Sequence, residues 1–556
     1  MRSFFLLFAV CSALLLRGQT LNLFVPTNHL QHDPVRGFAV VHLPEPVDLT
    51  GYSSVIVSSG PYAFQPEVTP EVLDYAQGYP TTVGDKLYFT RLPLLSITTA
   101  EDIPDEYKIP AQFTYVDGDQ SYSGTVGVEL RGGSSVFFPK KTFDLEFWTD
   151  ETGSETVDFT PDGLRTDDDW ILDALFNEPL RLRSHLAHRL WLDLHQPHYL
   201  DAEPEARAGA DVRYVELFVN GRYRGIYNLS EQVDRKQLKL KKYDDDDEQV
   251  RGVLYKGIGH GTPAFEALLP YSNASPLWGG FEIKYPKADD WRDWGPIHEL
   301  VGFVMNAPDA AFANDVWNRF HFGNAVDYYL FLNLLYATDN RGKNIYYAHY
   351  DTGTPLFMTP WDLDGCFGTD WGGNDVGLTD DLLHNGLYVR ARALDPGNFE
   401  AALADRWGEL RQTWFHTDTL LNRVVRHYNF LHDDRIYERE HWAHYLPVGE
   451  QTDLDYTLDW IEHRLGVLDD HFGLVSSTTP PTVRPTVRVF PQPAREFVTV
   501  LGVRDGRIPY QLLNAAGRSV RSGQTYDGER IDLRGLPAGM YFLRLLGHAP
   551  MKLVVR

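Results

Sequence analysis

Between Thr338 and Gly368 the chain reads TDNRGKNIYYAHYDTGTPLFMTPWDLDGCFG, and this pattern leaves little freedom in how the region folds. Upstream, Val326, Tyr329, Leu330, Leu334 and Ala337 recur at helical spacing, which predicts a helix ending just before Asp339. Ile345–Tyr350 and Pro355–Trp361 are aromatic or apolar runs of strand length, and Asp-Thr-Gly-Thr between them is a turn signal. A hairpin closing about Thr352 and Gly353 sets Asn344 opposite Trp361, or opposite Asp362 if the loop is one residue longer. Spacing leaves that register open.

In either register the open end of the hairpin gathers oxygen-bearing side chains. Asp339 lies just before it, Asn344 at the start of one strand, and Asp362 and Asp364 after the other. Such a set suits phosphoryl transfer, with Asp339 positioning a hydroxyl and Asn344, Asp362 and Asp364 holding Mg2+ on ATP. The plainer alternative is that Asp339 and Asn344 are turn residues and Asp362 caps a strand.

A second segment carries related chemistry. Arg131–Lys141 reads RGGSSVFFPKK, a strand running into glycines and hydroxyls before the next strand opens. Arg131, Gly132, Ser134 and Ser135 can turn N–H groups toward phosphate oxygens, and Lys140 or Lys141 can reach the same anion. This is not a Walker A loop, because no Gly-Lys-Ser/Thr opens a helix. Lys141 shares a strand face with Phe143, Leu145 and Phe147, so it needs an anionic partner. Glu231 in YNLSEQVDR could supply one, as a kinase glutamate does, or could simply begin a helix after Ser230.

The 556 residues, 43% of them hydrophobic and 23% charged, describe a globular protein larger than one ordinary domain. The net charge of −26 argues against nucleic acid or an anionic membrane as partner and is compatible with a basic protein substrate. One early arginine followed by apolar Phe4–Leu16 reads as a signal peptide over 1–19. The run is too short to span a bilayer, and no later stretch is long and apolar enough to do so. A lipoprotein signal using Cys11 is disfavoured because the apolar run continues past it. With Arg2 and Arg17 removed the mature charge is near −28, and Cys366 is its one thiol.

The expected organisation is α+β. Residues 20–91 form a β-rich region, and 92–475 form the main domain, β-rich first and helical later. Residues 476–486 are a Ser/Thr/Pro linker, and 487–556 a small all-β sandwich with turns at Asp505-Gly506, Ala516-Gly517 and Ala538-Gly539. Strands are predicted at Gly124–Arg131, Thr142–Trp148 and Arg213–Val219, the last entering an Asn220-Gly221 hairpin turn. Helices are predicted at Pro179–Leu194, Phe399–Phe415, Thr417–Leu431 and Thr457–Phe472.

Several other chemistries are weak. His185/His188 and His441/His444 lack an acidic partner at zinc-protease spacing, and there is no G-x-S-x-G elbow. The acid run Asp244–Glu248 lacks the spaced ligands and turn glycine of a calcium loop. Asp370 and Asp375 are expected to shape a Gly-rich loop. A phosphatase using Asp362 as nucleophile and Asp364 as acid would need strand-helix units building a parallel sheet, which the pattern does not supply.

From about Leu92 to Phe472 the chain resembles the spore-coat protein H (CotH) kinase family. The matching pieces occur in family order: LPLLSI, RGGSS…FPKKTFDLEF, DDDWILDALFNEPLRLRSHLAHRL, VELFVNGRYRGIYNLSEQVDR, TDNRGKN and WDLDGCFG. The resemblance implies an atypical protein-kinase-like fold using ATP and Mg2+, or Mn2+, to phosphorylate Ser or Thr on proteins. It makes Asp339 the catalytic aspartate, Asp362 the metal-binding one, Asn344 its companion, and Lys141 or Lys140 the phosphate-contacting lysine. Gly133 and Ser184 stand where the family commonly has Asn. The tail resembles a type IX secretion sorting domain through VFPQPAREFVTV, YQLLNAAGRSV and IDLRGLPAGMYFLRL. That implies a Gram-negative host, handling by the type IX machinery, and a secreted or cell-surface location.

Overall fold

The computed structural model describes residues 19–45, 47–65, 72–243, 250–259, 262–445, 448–473, 488–490, 493–501, 508–514, 518–525, 529–545 and 551–556. The expected leader apart from Gln19, the acid run Asp244–Glu248, the linker 476–486 and the turns at Asp505-Gly506 and Ala516-Gly517 lie outside them.

Ahead of residue 92 the chain forms two small sheets, one of three strands and one of four. Val41, Val55, Tyr79 and Phe89 share their core. The four-stranded sheet turns Phe38 and Tyr88 outward onto Phe218, Tyr223 and Tyr437 of the main domain, so its second face is buried too.

The main domain opens with a closed barrel of seven strands. Its order around the barrel is Gln120–Arg131, Thr142–Trp148, Asp169–Asp173, Arg222–Ser230, Val212–Val219, Leu94–Thr98 and Ile109–Asp117. Alternation drives closure. Along Ile109–Asp117, Ile109, Ala111, Phe113 and Tyr115 point inward while Pro110 and Gln112 face water. Phe113, Phe147 and Phe159 fill the interior, with ring centroids 4.7 to 5.5 Å apart. The Asn220-Gly221 turn joins its two strands with φ of 52° and 64°, the left-handed pair that a two-residue hairpin needs.

A five-stranded sheet follows, ordered Leu277–Trp278, Phe281–Tyr285, Val253–Ile258, Lys343–His349 and Phe357–Pro360. Helices pack on it around Phe322–Leu335, which is buried on every side from Asn324 onward, so an apolar stripe alone would not serve it. The helix predicted from Pro179 begins at Arg183 instead. Arg181 takes φ 60°, and the Glu178 carboxylate accepts from the N–H groups of Leu180 (2.9 Å) and Arg183 (3.1 Å), so a side chain occupies the first turn's donors. The predicted Thr457 helix runs Gln451–His471.

After the linker, a three-stranded and a four-stranded sheet share one core containing Val498, Val500, Leu512, Ile531, Leu543 and Leu553. Among the described residues no helix is long and apolar enough to cross a membrane.

Candidate active site

The central helix ends at Leu335, and Tyr336 leaves it in the left-handed conformation (φ 52°). A single turn, Asp339–Arg341, then leads into the hairpin. Its register pairs Ile345 with Pro360, and the Trp361 N–H donates to the Asn344 carbonyl at 2.9 Å. Asn344 therefore stands opposite Trp361, the tighter of the two expected registers. Buried Asn340 locks the mouth by donating to the carbonyls of Asn344 (2.6 Å) and Trp361 (2.9 Å). Asn344 (φ 58°) and Asp362 (φ 50°) both adopt left-handed backbone, which Asn and Asp tolerate best among side-chain-bearing residues. Strained positions of this kind cluster at functional sites. The Asn344 amide donates to the Asp362 carbonyl at 3.4 Å, leaving its own oxygen available.

This corner forms one wall of a cleft of about 380 Å3. Asp339, Asn344, Asp362 and Asp364 line it on one side, and Arg131, Gly132, Ser134 and Ser135 on the other. Gly132 sits at φ 120°, a backbone conformation in which any residue with a side chain is strained, and a Cβ there would also displace the Ser135 hydroxyl. Arg131 pairs with Asp144 and lies over the Trp361 ring at 5.8 Å. The loop after the corner is braced separately. The Asp370 carboxylate accepts from the N–H groups of Gly372 (2.8 Å) and Asn374 (2.9 Å).

Three sequence-predicted residues fall elsewhere. Lys141 is turned from the cleft and donates to the Val136 carbonyl at 2.6 Å. Lys140 is fully buried, bonding Glu438 at 2.6 Å and the Ile226 carbonyl at 2.5 Å beside Arg181. Glu231 pairs with neither lysine. It accepts from Gln237 (2.8 Å), Arg207 (3.2 Å) and the Arg165 N–H (2.9 Å) at the far end of its strand. The loop between Ser135 and Pro139 turns tightly enough to spend both lysines on structure, which strand alternation does not reveal.

Residues 128–468 match the family model described as CotH kinase protein. The chain belongs to the CotH kinase family. Residues 488–555 match the model of a secretion system C-terminal sorting domain, an address for export. No curated protein matches the chain.

The cleft of this CotH kinase domain holds three residues that the sequence reading missed. Lys256 projects into it from Val253–Ile258. Burial first, then Arg131, press its amine down to about 8, against the pull of Asp362. Asp173 ends a barrel strand, and burial followed by the Asp362 charge raises it to about 6. Asn177 donates to Asp364 at 3.0 Å and also to the Trp371 carbonyl. The available signal was a charge set against an apolar strand, a single lysine within VLYKGI for Lys256 and the terminal acid of DWILD for Asp173.

The donor set fits a hard divalent cation. Asp364 is held well above the usual carboxylate range, first by burial and then by Asp362. Asp173 is raised in the same way, so the acids repel one another and a cation would relieve them. All candidate ligands are oxygens, as Mg2+ prefers, and Mg2+ needs only one or two carboxylates where phosphates and waters complete its shell. Among the described residues, the three carboxylates whose oxygens lie within 4.8 Å of one another are Asp167, Asp168 and Asp169. That group is already neutralised by Lys236 (2.9 Å to Asp167) and Arg165.

Proposed function

We propose that this protein is an exported atypical protein kinase, with a protein-kinase-like fold, that transfers the γ-phosphate of ATP to Ser or Thr hydroxyls of surface or secreted proteins. The observation that supports it is the meeting of the Gly132 turn and the Asp339–Asp364 corner across one cleft. Asp339, with Lys343 at 3.6 Å, is the group that takes the hydroxyl proton. Asn344, Asp362 and Asp364 would hold Mg2+, or Mn2+, which supplies charge neutralisation on the triphosphate when bound. Lys256 and Arg131 take the phosphate-contacting role expected of Lys140 or Lys141, and N–H groups at Gly132–Ser135 cradle the anion. Positioning and electrostatics carry most of the rate. The acidic chain suits a basic acceptor segment. The sorting domain would pass the chain to the type IX secretion machinery, placing it at the surface or outside the cell.

The phosphatase alternative loses support from the strands before Asp362, which run antiparallel. The deciding experiment incubates the leaderless protein with labelled ATP, Mg2+ or Mn2+, and a surface-protein extract. Label on Ser or Thr that disappears with Asp339→Ala supports the kinase. Metal-dependent ATP binding without any transfer would favour a catalytically silent binding or adhesion protein.

A further inference from the structure

A second cavity, of about 800 Å3, lies behind the cleft. The two share the Arg183–Leu194 helix. Ser184 and His188 face the cleft, whereas His185 and Arg189 face the second cavity. Four residues apart on each face, these pairs mark two sides of one helix. Its opposite wall is the Thr417–Phe430 helix.

The lining is unusual for so acidic a chain. Five arginines border the cavity, at positions 91, 189, 213, 423 and 426, against two carboxylates, Asp162 and Asp193. Most of the arginines have protein partners. Arg423 meets Asp193 at 2.5 Å and Arg189 meets Asp211 at 2.7 Å. Arg426 is exposed and has no hydrogen-bond or ion-pair partner among the described residues. Arg189, Arg423 and Arg426 all act on His427, whose ring is held neutral, first by burial and then by these three cations. Among the described residues Arg426 is therefore the lining cation with no carboxylate to offset it, and Arg189, though paired with Asp211, keeps nearly half of its side chain exposed beside it. The cavity's other surfaces are rings. Phe430 and Trp414 are 50% and 39% exposed at the rim, and the floor is His185 stacked on Tyr214 at 3.8 Å with planes 8° apart.

Guanidinium groups recognise phosphate through paired donors, and exposed rings favour a flat or cyclic body beside it. The volume falls within the range of small-molecule sites. We propose that this cavity is a second ligand site, for a small phosphomonoester carried on a ring, held by Arg426 and Arg189 with the ring against Phe430 and Trp414. It does not depend on the phosphotransfer reading of the cleft.

Calorimetric titration with phenyl phosphate, in EDTA, tests it on the full leaderless chain. The expected result is one saturable equivalent, with inorganic phosphate binding more weakly because it lacks the ring. Arg426→Ala should weaken phenyl phosphate at least about tenfold, the loss expected for one charge-assisted contact. Phe430→Ala should weaken phenyl phosphate while leaving inorganic phosphate unchanged. Both side chains are exposed, so neither change threatens the fold. Lys256→Met, in the cleft, should leave the titration unaltered. Failure to saturate overturns the site, as does binding that Lys256→Met removes and Arg426→Ala spares. Equal affinity for the two probes overturns the ring-bearing ligand class.

Discussion

Asp173→Asn should make the metal-free protein more stable at neutral pH while weakening its hold on Mg2+. The Asp173 carboxyl is raised from 3.8 to about 6, chiefly by burial and next by Asp362. Each unit corresponds to about 1.4 kcal/mol, so ionising it in the fold costs about 3 kcal/mol. Part of the carboxylate faces the cleft, and solvent there trims the figure to about 2 kcal/mol. Asparagine keeps an oxygen for the Leu175 N–H, which donates to Asp173 at 3.3 Å, so little structure is lost. The sign follows from linkage. Below pH 3.8 both folded and unfolded states hold the proton and no penalty exists. Between 3.8 and about 6 the unfolded chain ionises first, and the penalty grows. Above about 6 it is constant. The stability gap between variant and wild type should therefore be near zero at pH 3.8, widen to about pH 6, and stay level beyond. Unfolding followed in EDTA from pH 4 to pH 7.5 measures it. Added Mg2+ should close the gap by stabilising the wild type more. A variant that unfolds more easily than wild type at pH 7, or a gap that does not change with pH, would refute this account of the acid cluster.

Other consequences concern the lysines and the acidic corner. Lys140→Met strands buried Glu438 with Arg181 as its remaining cation, and should destabilise the fold by about 3–5 kcal/mol in denaturant unfolding. Lys141→Met loses one bond to a carbonyl, about 1 kcal/mol; equal losses for the two would contradict their assigned places. ATP binding should weaken as pH rises through about 8 and beyond, because the Lys256 amine, already pressed down to about 8, sheds the charge that attracts phosphate. Lys256→Met should bind ATP more weakly at pH 7 and show no such slope in a fluorescence titration. Asp339→Ala and Asp362→Ala should each lower phosphate transfer by at least about a thousandfold. Asp362→Ala should also weaken Mg2+-dependent ATP binding more than Asp339→Ala does, and wild-type turnover in either variant would remove these residues from the mechanism.

Local pattern made much of the architecture legible. Thr142–Trp148 is a strand with the predicted bounds because Phe143, Leu145 and Phe147 alternate, and Asn220-Gly221 forms the expected turn because both residues accept positive φ. The hairpin corner could be read because its four oxygen-bearing residues are sequence neighbours of one turn. The barrel's closure was not readable. It depends on Leu94–Thr98 running parallel to Val212–Val219, strands separated by more than a hundred residues with no periodic signal linking them. The lysines misled for a related reason. Lys140, Lys141 and Glu231 have the residue types of a phosphate clamp, but the direction of each side chain is set by distant partners, Glu438 for Lys140 and Arg207 with Gln237 for Glu231.

By itself the amino-acid order determined several strands, the hairpin and the acids at its mouth, since turns and alternation act over a few residues. Tertiary structure alone decided what faces those acids. It turned Lys140 into the core and carried Lys256 and Asp173 into the cleft, because burial and charge pairing between remote segments are settled only when the whole chain packs.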